Sequence, residues 1–210
     1  MAAHWALPQT GDRASVVKRE LRKSLRERLT TIPEDQLAAR SLKACHLLFQ
    51  QREFARAKVL TVFLSRSGEI DTAPLVLRGW QEGKKVLAPK ISWEQRRLMP
   101  VEIRSLSDDL RITAMGVREP AAGIPIPISM IDLVIVPGLG FDNSGNRLGR
   151  GQGFYDRFLA HPEFHGVACA LAFEDQIIES IPVGPLDRHV DMLVTNDRVR
   201  RFKHQRSANR

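Results

Sequence analysis

The stretch from Asp132 to Leu159 constrains the fold most. Leu133-Val-Ile-Val136 is wholly apolar and mostly β-branched, which reads as a strand buried on both faces. Pro137 ends it, and Gly138, Gly140, Gly145, Gly149, Gly151 and Gly153 fill the following loop. Glycines at this density let the backbone take positive φ and let another molecule approach closely. Phe154, Phe158 and Leu159 then fall at helical spacing, so a helix is expected from about Gly153. A strand, a glycine loop and a helix start, in that order, present unpaired amides to an anion. Arg147 and Arg150 lie in the same loop, and a guanidinium matches phosphate oxygens with paired donors. Asp156 follows in the first helical turn, within reach of a metal carried on a phosphate. The residues thus point to a nucleotide-phosphate site with a magnesium carboxylate. It is neither the dinucleotide fingerprint, since Phe154 fills the third glycine position, nor a Walker loop, since no Gly-Lys-Ser/Thr occurs. The competing reading is a flexible connection with solvated arginines, but glycine loops this long inside compact domains are usually functional.

A chain of 210 residues suits one domain. A net charge of +8 and a pI near 10.1 favour anionic partners. Cys45 and Cys169 sit in apolar surroundings without metal spacing and read as buried thiols of a reducing compartment. The N-terminus lacks a basic region followed by an apolar core, and no run approaches a membrane span. A cytoplasmic protein is expected, with no membrane, nucleic-acid or obligate protein partner.

Residues 1–14 read as a flexible leader, 15–197 as the domain and 198–210 as a basic, disordered tail. Val17, Leu21, Leu25 and Leu29 form the apolar stripe of a first helix. Lys18 and Arg22, one turn apart, share another face and could grip one polyphosphate. Thr31-Ile-Pro-Glu opens a second helix, with Leu37, Ala44, Cys45 and Leu48 inward and Ser41 as a small packing residue. Lys58–Leu64 is a strand, and the loop after it places Glu69 where open α/β sheets bind ligands. A helix from Thr72 to Trp80 and strands at Lys85–Ile91, Leu98–Ile103, Val167–Phe173 and Met192–Thr195 complete the pattern. Pro89 argues for an edge or a strand end. Trp93 and Met99 could offer flat apolar surface to a ring, with core packing the commoner role for each. Asp191 alone reads as a strand-end turn residue.

Val136-Pro-Gly-Leu-Gly-Phe-Asp142 and Gly145-Asn-Arg-Leu-Gly-Arg-Gly-Gln-Gly-Phe-Tyr-Asp156 resemble the signature of the 5-formyltetrahydrofolate cyclo-ligase (5,10-methenyltetrahydrofolate synthetase) family. Lys18-Arg-Glu-Leu-Arg22, Leu64 with Glu69, and Gly116-Val-Arg-Glu-Pro120 are similar to further family elements, so the likeness spans about Lys18 to Asp197. It implies a single three-layer α/β domain whose open, largely parallel central sheet has helices on both faces. It also implies ATP-dependent closure of 5-formyltetrahydrofolate, with or without a polyglutamate tail, to 5,10-methenyltetrahydrofolate. ATP contacts are implied at Lys18, Arg22, Arg147, Leu148, Gly149, Arg150, Gly151, Gln152, Gly153, Phe154 and Tyr155, with Arg150 catalytic. Folate contacts are implied at Leu64 and Glu69, and Mg2+ ligands at Asp156 and Asp191. The chain departs from the family where Gln152 replaces a lysine or glycine and Phe154 the commoner tyrosine. Two rivals are a non-catalytic anion or nucleic-acid binder using the basic surface and a sugar-phosphate isomerase on a similar sheet. Aromatics are 6% of the chain, and no RNA-binding signature supports the first. No Gly-x-Ser-x-Gly or His-Glu-x-x-His occurs, which excludes serine-hydrolase and zinc-protease readings.

Overall fold

A computed structural model describes residues 10–113 and 116–203, with the side chains of residues 10–12 left aside. Most of the expected leader and the end of the expected tail, 1–9 and 204–210, lie outside these residues. Among them run α1 (Thr10–Thr30), α2 (Glu34–Phe49), α3 (Arg52–Arg56), β1 (Val59–Thr61), α4 (Ala73–Gln81), β2 (Lys85–Ser92) and β3 (Arg97–Glu102). They continue with β4 (Leu110–Ile112), β5 (Arg118–Pro120), β6 (Leu133–Val136), β7 (Gly140–Phe141), β8 (Arg147–Leu148), α5 (Phe154–Leu159), β9 (Val167–Leu171), β10 (Met192–Val194) and β11 (Val199–Arg201).

Seven strands form the central sheet in the order β11-β10-β9-β6-β1-β2-β3. The five inner strands are parallel, and β11 and β3 are antiparallel edges. Alternation along each strand divides the interior in two. Leu133 and Ile135 of β6, with Cys169 and Leu171 of β9, face one core under α2, α3 and α4. Val134 and Val136, with Ala168 and Ala170, face a second core closed by Phe158 of α5 and by Phe141 and Phe164. This is the expected three-layer α/β domain. None of the described helices is long and apolar enough to cross a membrane.

Burial drives the Cys45 thiol up to about 12, with Asp71 adding to it, and also raises Cys169, so both stay protonated. Pro89 lies opposite Pro100 in the β2–β3 register, beyond the three residues of β2 that pair with β1. Neither proline has an N–H to give, so the pair occupies a position where none is required. Beyond Pro100, the outer side of β3 is covered by the chain at Pro125–Ile126, with Ile126 N–H donating to the Pro100 carbonyl at 2.8 Å.

Two boundaries differ from expectation. Helix α1 begins at Thr10, inside the segment 1–14 that reads as a leader, taking Gly11 into its first turn. The segment read as tail from 198 continues the sheet: Val199–Arg201 pairs with β10, and Phe202 packs on the second core. The arginines that read as an aperiodic solvated run are partnered here, Arg200 by Glu174 at 2.8 Å and Arg201 by Glu53 at 2.9 Å.

Candidate functional site

The carboxyl ends of β1, β2 and β6 open into a cavity of about 410 Å³, the position where open α/β sheets take ligands. Helix α1 crosses beside it because Leu25 is buried among Leu139, Leu148 and Ile181, with Leu21 and Leu29 at the margin. That stripe turns Lys18 and Arg22 into the cavity, and Arg22 Nε donates to the Gly149 carbonyl at 2.9 Å. Beneath the glycine loop, Asp142 builds the β7–β8 hairpin. Its carboxylate, 2% exposed, accepts from the N–H groups of Ser144, Asn146 and Ile181 and from the Asn146 amide. Gln176 Nε2 donates to the Gly138 carbonyl at 2.7 Å and fixes the loop's first bend.

The cavity wall carries Lys18, Arg22, Arg66, Arg118, Arg147 and Arg150 against Glu69, Asp156 and Asp187, six cations to three anions. Side-chain ion pairs join the two sets. Lys18 pairs with Asp187, Arg150 with Glu69, and Arg147 with Asp156 at 2.9 Å. Partial burial alone would raise the Asp187 carboxyl. The Lys18 ammonium, the Gly184 N–H and the Arg147 charge outweigh burial and hold it below its ordinary value. Burial and the neighbouring Arg26 depress the Arg22 guanidinium, against a smaller opposing pull from Asp187. The excess of positive charge suits a polyanion that would exchange for the carboxylates.

Arg147 is 8% exposed. Its Nη1 reaches the Pro137 carbonyl at 3.3 Å, while its buried Nε has no partner. The hydroxyl of Tyr155, another residue of the cavity lining, is also buried without a partner, and burial raises it. A buried polar atom left unpaired is costly, and both of these belong to residues that line the cavity. At Gly149 a side chain would strike the guanidinium, because a Cβ would sit 2.7 Å from Arg147 Nη1. Loop backbone and buried arginine thus form one polar, cationic surface suited to an anion.

The opposite wall is apolar. Phe63, Leu64, Ile91, Leu98 and Val117 line it, and Trp93 meets Phe154 edge-on at 5.1 Å between ring centres. Trp93 is 49% exposed, so it stands at the mouth rather than in the core. Met99, weighed beside it, does not line the cavity.

The cavity therefore gathers Lys18, Arg22, Leu64, Glu69, every residue from Arg147 to Tyr155, and Asp156. Asp191 is not brought there. It sits at the amino end of β10, and its carboxylate accepts the Ala168 N–H at 2.8 Å, across the sheet. Asp187, four residues earlier, reaches the cavity instead. The expected anion-attracting helix start is also modest: α5 has six residues, so arginines more than a helix dipole give this part of the cavity its positive character. Ser41 does more than pack. Its buried hydroxyl accepts the Asp71 N–H at 2.9 Å, tying α2 to the loop that bears Glu69. Sequence reasoning missed Asp187, Arg66 and Arg118. The only available signal for Asp187 was another carboxylate just before Asp191, in a segment with no periodicity.

The profile of the 5-formyltetrahydrofolate cyclo-ligase family matches residues 14–196. A 5-formyltetrahydrofolate cyclo-ligase of Mus musculus is 30% identical over 191 residues, covering 86% of this chain and 94% of its own. One from Escherichia coli K12 is 29% identical over 179 residues, covering 83% and 98%. The structure of Aquifex aeolicus 5,10-methenyltetrahydrofolate synthetase superposes with a TM-score of 0.77 at 32% identity, covering 92% of this chain and 97% of that one.

Proposed function

The chain belongs to the 5-formyltetrahydrofolate cyclo-ligase family, and on that premise we propose that it converts 5-formyltetrahydrofolate to 5,10-methenyltetrahydrofolate at the expense of ATP. One observation carries the reading: a buried, incompletely bonded arginine and a glycine loop face an aromatic, apolar wall across a single cavity. A phosphate chain and a flat heterocycle can lie there side by side.

A formyl oxygen is a poor leaving group. Its lone pair attacks the γ-phosphorus of ATP, the bond to the bridging oxygen breaks and ADP departs. Nitrogen-10 then attacks the activated formyl carbon and loses its proton to solvent. The carbon–oxygen bond breaks, phosphate leaves and the methenyl bridge remains. Phosphoryl transfer of this kind needs positioning and charge neutralisation more than covalent chemistry. Lys18, Arg22 and Arg147, with the amides from Leu148 to Gly153, hold the phosphates. Arg150 leaves Glu69 for the transferring phosphoryl group, where its positive charge stabilises the transition state. Glu69, once released, accepts from the N–H groups of the pterin, while Leu64, Phe154 and Trp93 pack on its faces.

Magnesium suits the carboxylates available here. It keeps several waters and takes one or two carboxylates plus phosphate oxygens, and Asp156 and Asp187 both line the cavity. When bound it would neutralise charge on the β- and γ-phosphates.

The test is an absorbance assay: pure protein, (6S)-5-formyltetrahydrofolate and the near-ultraviolet band of the methenyl product, with and without MgATP. A rise that requires ATP supports the reading. A flat trace from folded protein overturns it.

A further inference from the structure

The two walls of the cavity come from distant parts of the chain, and one side chain outside the cavity ties them together. Arg157 projects from α5. Its Nε donates to the Arg96 carbonyl at 2.7 Å, and its Nη2 donates to the Gln152 carbonyl at 2.9 Å. Arg96 is at the tip of the β2–β3 hairpin that carries Trp93. Gln152 is in the glycine loop. The same guanidinium lies 5.2 Å from the centre of the Phe154 ring, which in turn abuts Trp93.

Both ends of the tie are shaped for it. Arg96 holds φ +49°, the only non-glycine residue with positive φ among those described, a backbone state that L residues rarely adopt without local support. Gly153 takes φ +66°, and a Cβ there would sit 3.0 Å from Arg157 Nη1, so the guanidinium occupies the space that the missing side chain leaves. A planar guanidinium presents donors in fixed, diverging directions and can serve two carbonyls at once, which an ammonium on a flexible stem does poorly.

We propose that Arg157 is a positioning residue that couples the two substrate subsites. It fixes the aromatic hairpin to the phosphate loop, so that ordering the loop on a nucleotide also sets Trp93 for the heterocycle. This rests on the two-substrate reading above. With binding energetically linked, each ligand strengthens the other by the same factor. The side chain itself touches neither ligand.

Two measurements test it. The first is calorimetric affinity for 5-formyltetrahydrofolate, with and without a non-hydrolysable ATP analogue and Mg2+. In the intact protein the analogue should tighten the folate by about fivefold or more. In Arg157→Ala the gain should fall below about twofold, with KM for the folate rising more than kcat falls. Arg157→Lys should recover part of the coupling. The second is acrylamide quenching of Trp93, isolated by subtracting the Trp93→Phe signal, with neither ligand present. It should rise in Arg157→Ala if the hairpin is released, while thermal unfolding stays near that of the intact protein. Unchanged quenching overturns the proposal whatever the reaction is. So does full coupling in Arg157→Ala, or an intact protein in which the two ligands bind without affecting each other. If the intact protein makes no methenyl product, the functional reading fails separately, and the quenching arm still decides whether Arg157 holds the hairpin.

Discussion

At the amino ends of the strands, carboxylates bond to main chain. Asp132 accepts from the N–H groups of Lys58 and Val59 at 2.8 and 2.9 Å, and Asp191 accepts from Ala168 at 2.8 Å. At the carboxyl ends, Glu69, Asp156 and Asp187 each accept a main-chain N–H as well, from Arg66, Arg188 and Gly184, but each also faces a lysine or arginine side chain. The first arrangement stitches neighbouring strands together in a way that no ligand needs to disturb. The second leaves cations and carboxylates neutralising each other in a cavity, where an anion can take the cations and a metal or a donor heterocycle the carboxylates. The same residue type therefore serves architecture at one end and exchangeable binding at the other.

The sharpest way to break this contrast is at Arg150. Its replacement by alanine should lower turnover by about 100-fold or more, the usual cost of removing one electrostatic stabiliser. Near-normal turnover in the absorbance assay would remove Arg150 from the chemistry. Next comes magnesium. Asp156→Asn should raise the Mg2+ concentration needed for half-maximal rate by about tenfold, the range for losing one ligand-shell partner. Asp191→Asn, which keeps an acceptor for Ala168, should leave that requirement within about twofold. The opposite ranking would restore Asp191 as the ligand and undo the comparison.

At the architectural end, Asp132→Ala should lose about 1 kcal/mol of stability in urea unfolding, since two backbone donors lose their acceptor near the surface. The folded variant should retain its kcat. The smallest effect concerns Arg201. Its two hydrogen bonds, against a lesser opposing effect of burial, hold the Glu53 carboxyl at about 2, below its ordinary 4.5. A depressed carboxylate stabilises the fold above its ordinary value, and that contribution fades as pH falls from about 4.5 toward 2. The urea midpoints of the intact protein and Arg201→Ala should therefore differ most near neutrality and converge in acid. A gap that stays constant with pH would dismiss the pair.

What the sequence made legible follows periodicity and composition. Leu133–Val136 could be placed because a buried parallel strand must be apolar on both faces. Helix α1 could be placed because Leu21, Leu25 and Leu29 repeat with the helical turn, and that repeat also put Lys18 and Arg22 on one face. The glycine-rich stretch stood out because six glycines in sixteen residues do not suit one long regular element, although Gly140 lies in the short strand β7. What stayed hidden depends on tertiary placement. Asp191 and Asp187 are four residues apart in an aperiodic segment, and only the path of the chain decides which one faces the cavity. Trp93 looked like core because tryptophan usually is, whereas the hairpin carries it past the sheet to the mouth. Strand β11 was concealed by its arginines, since a three-residue edge has too few apolar positions to show alternation.

That short edge has a further consequence. An open sheet normally ends in a row of free amides and carbonyls on which another chain can add a strand. Here one margin is three residues long and arginine-bearing, and the other has Pro100 and the Pro125–Ile126 segment laid along it. The sheet is thus poorly templated for growth in either direction, and concentrated protein is expected to resist strand-exchanged assembly.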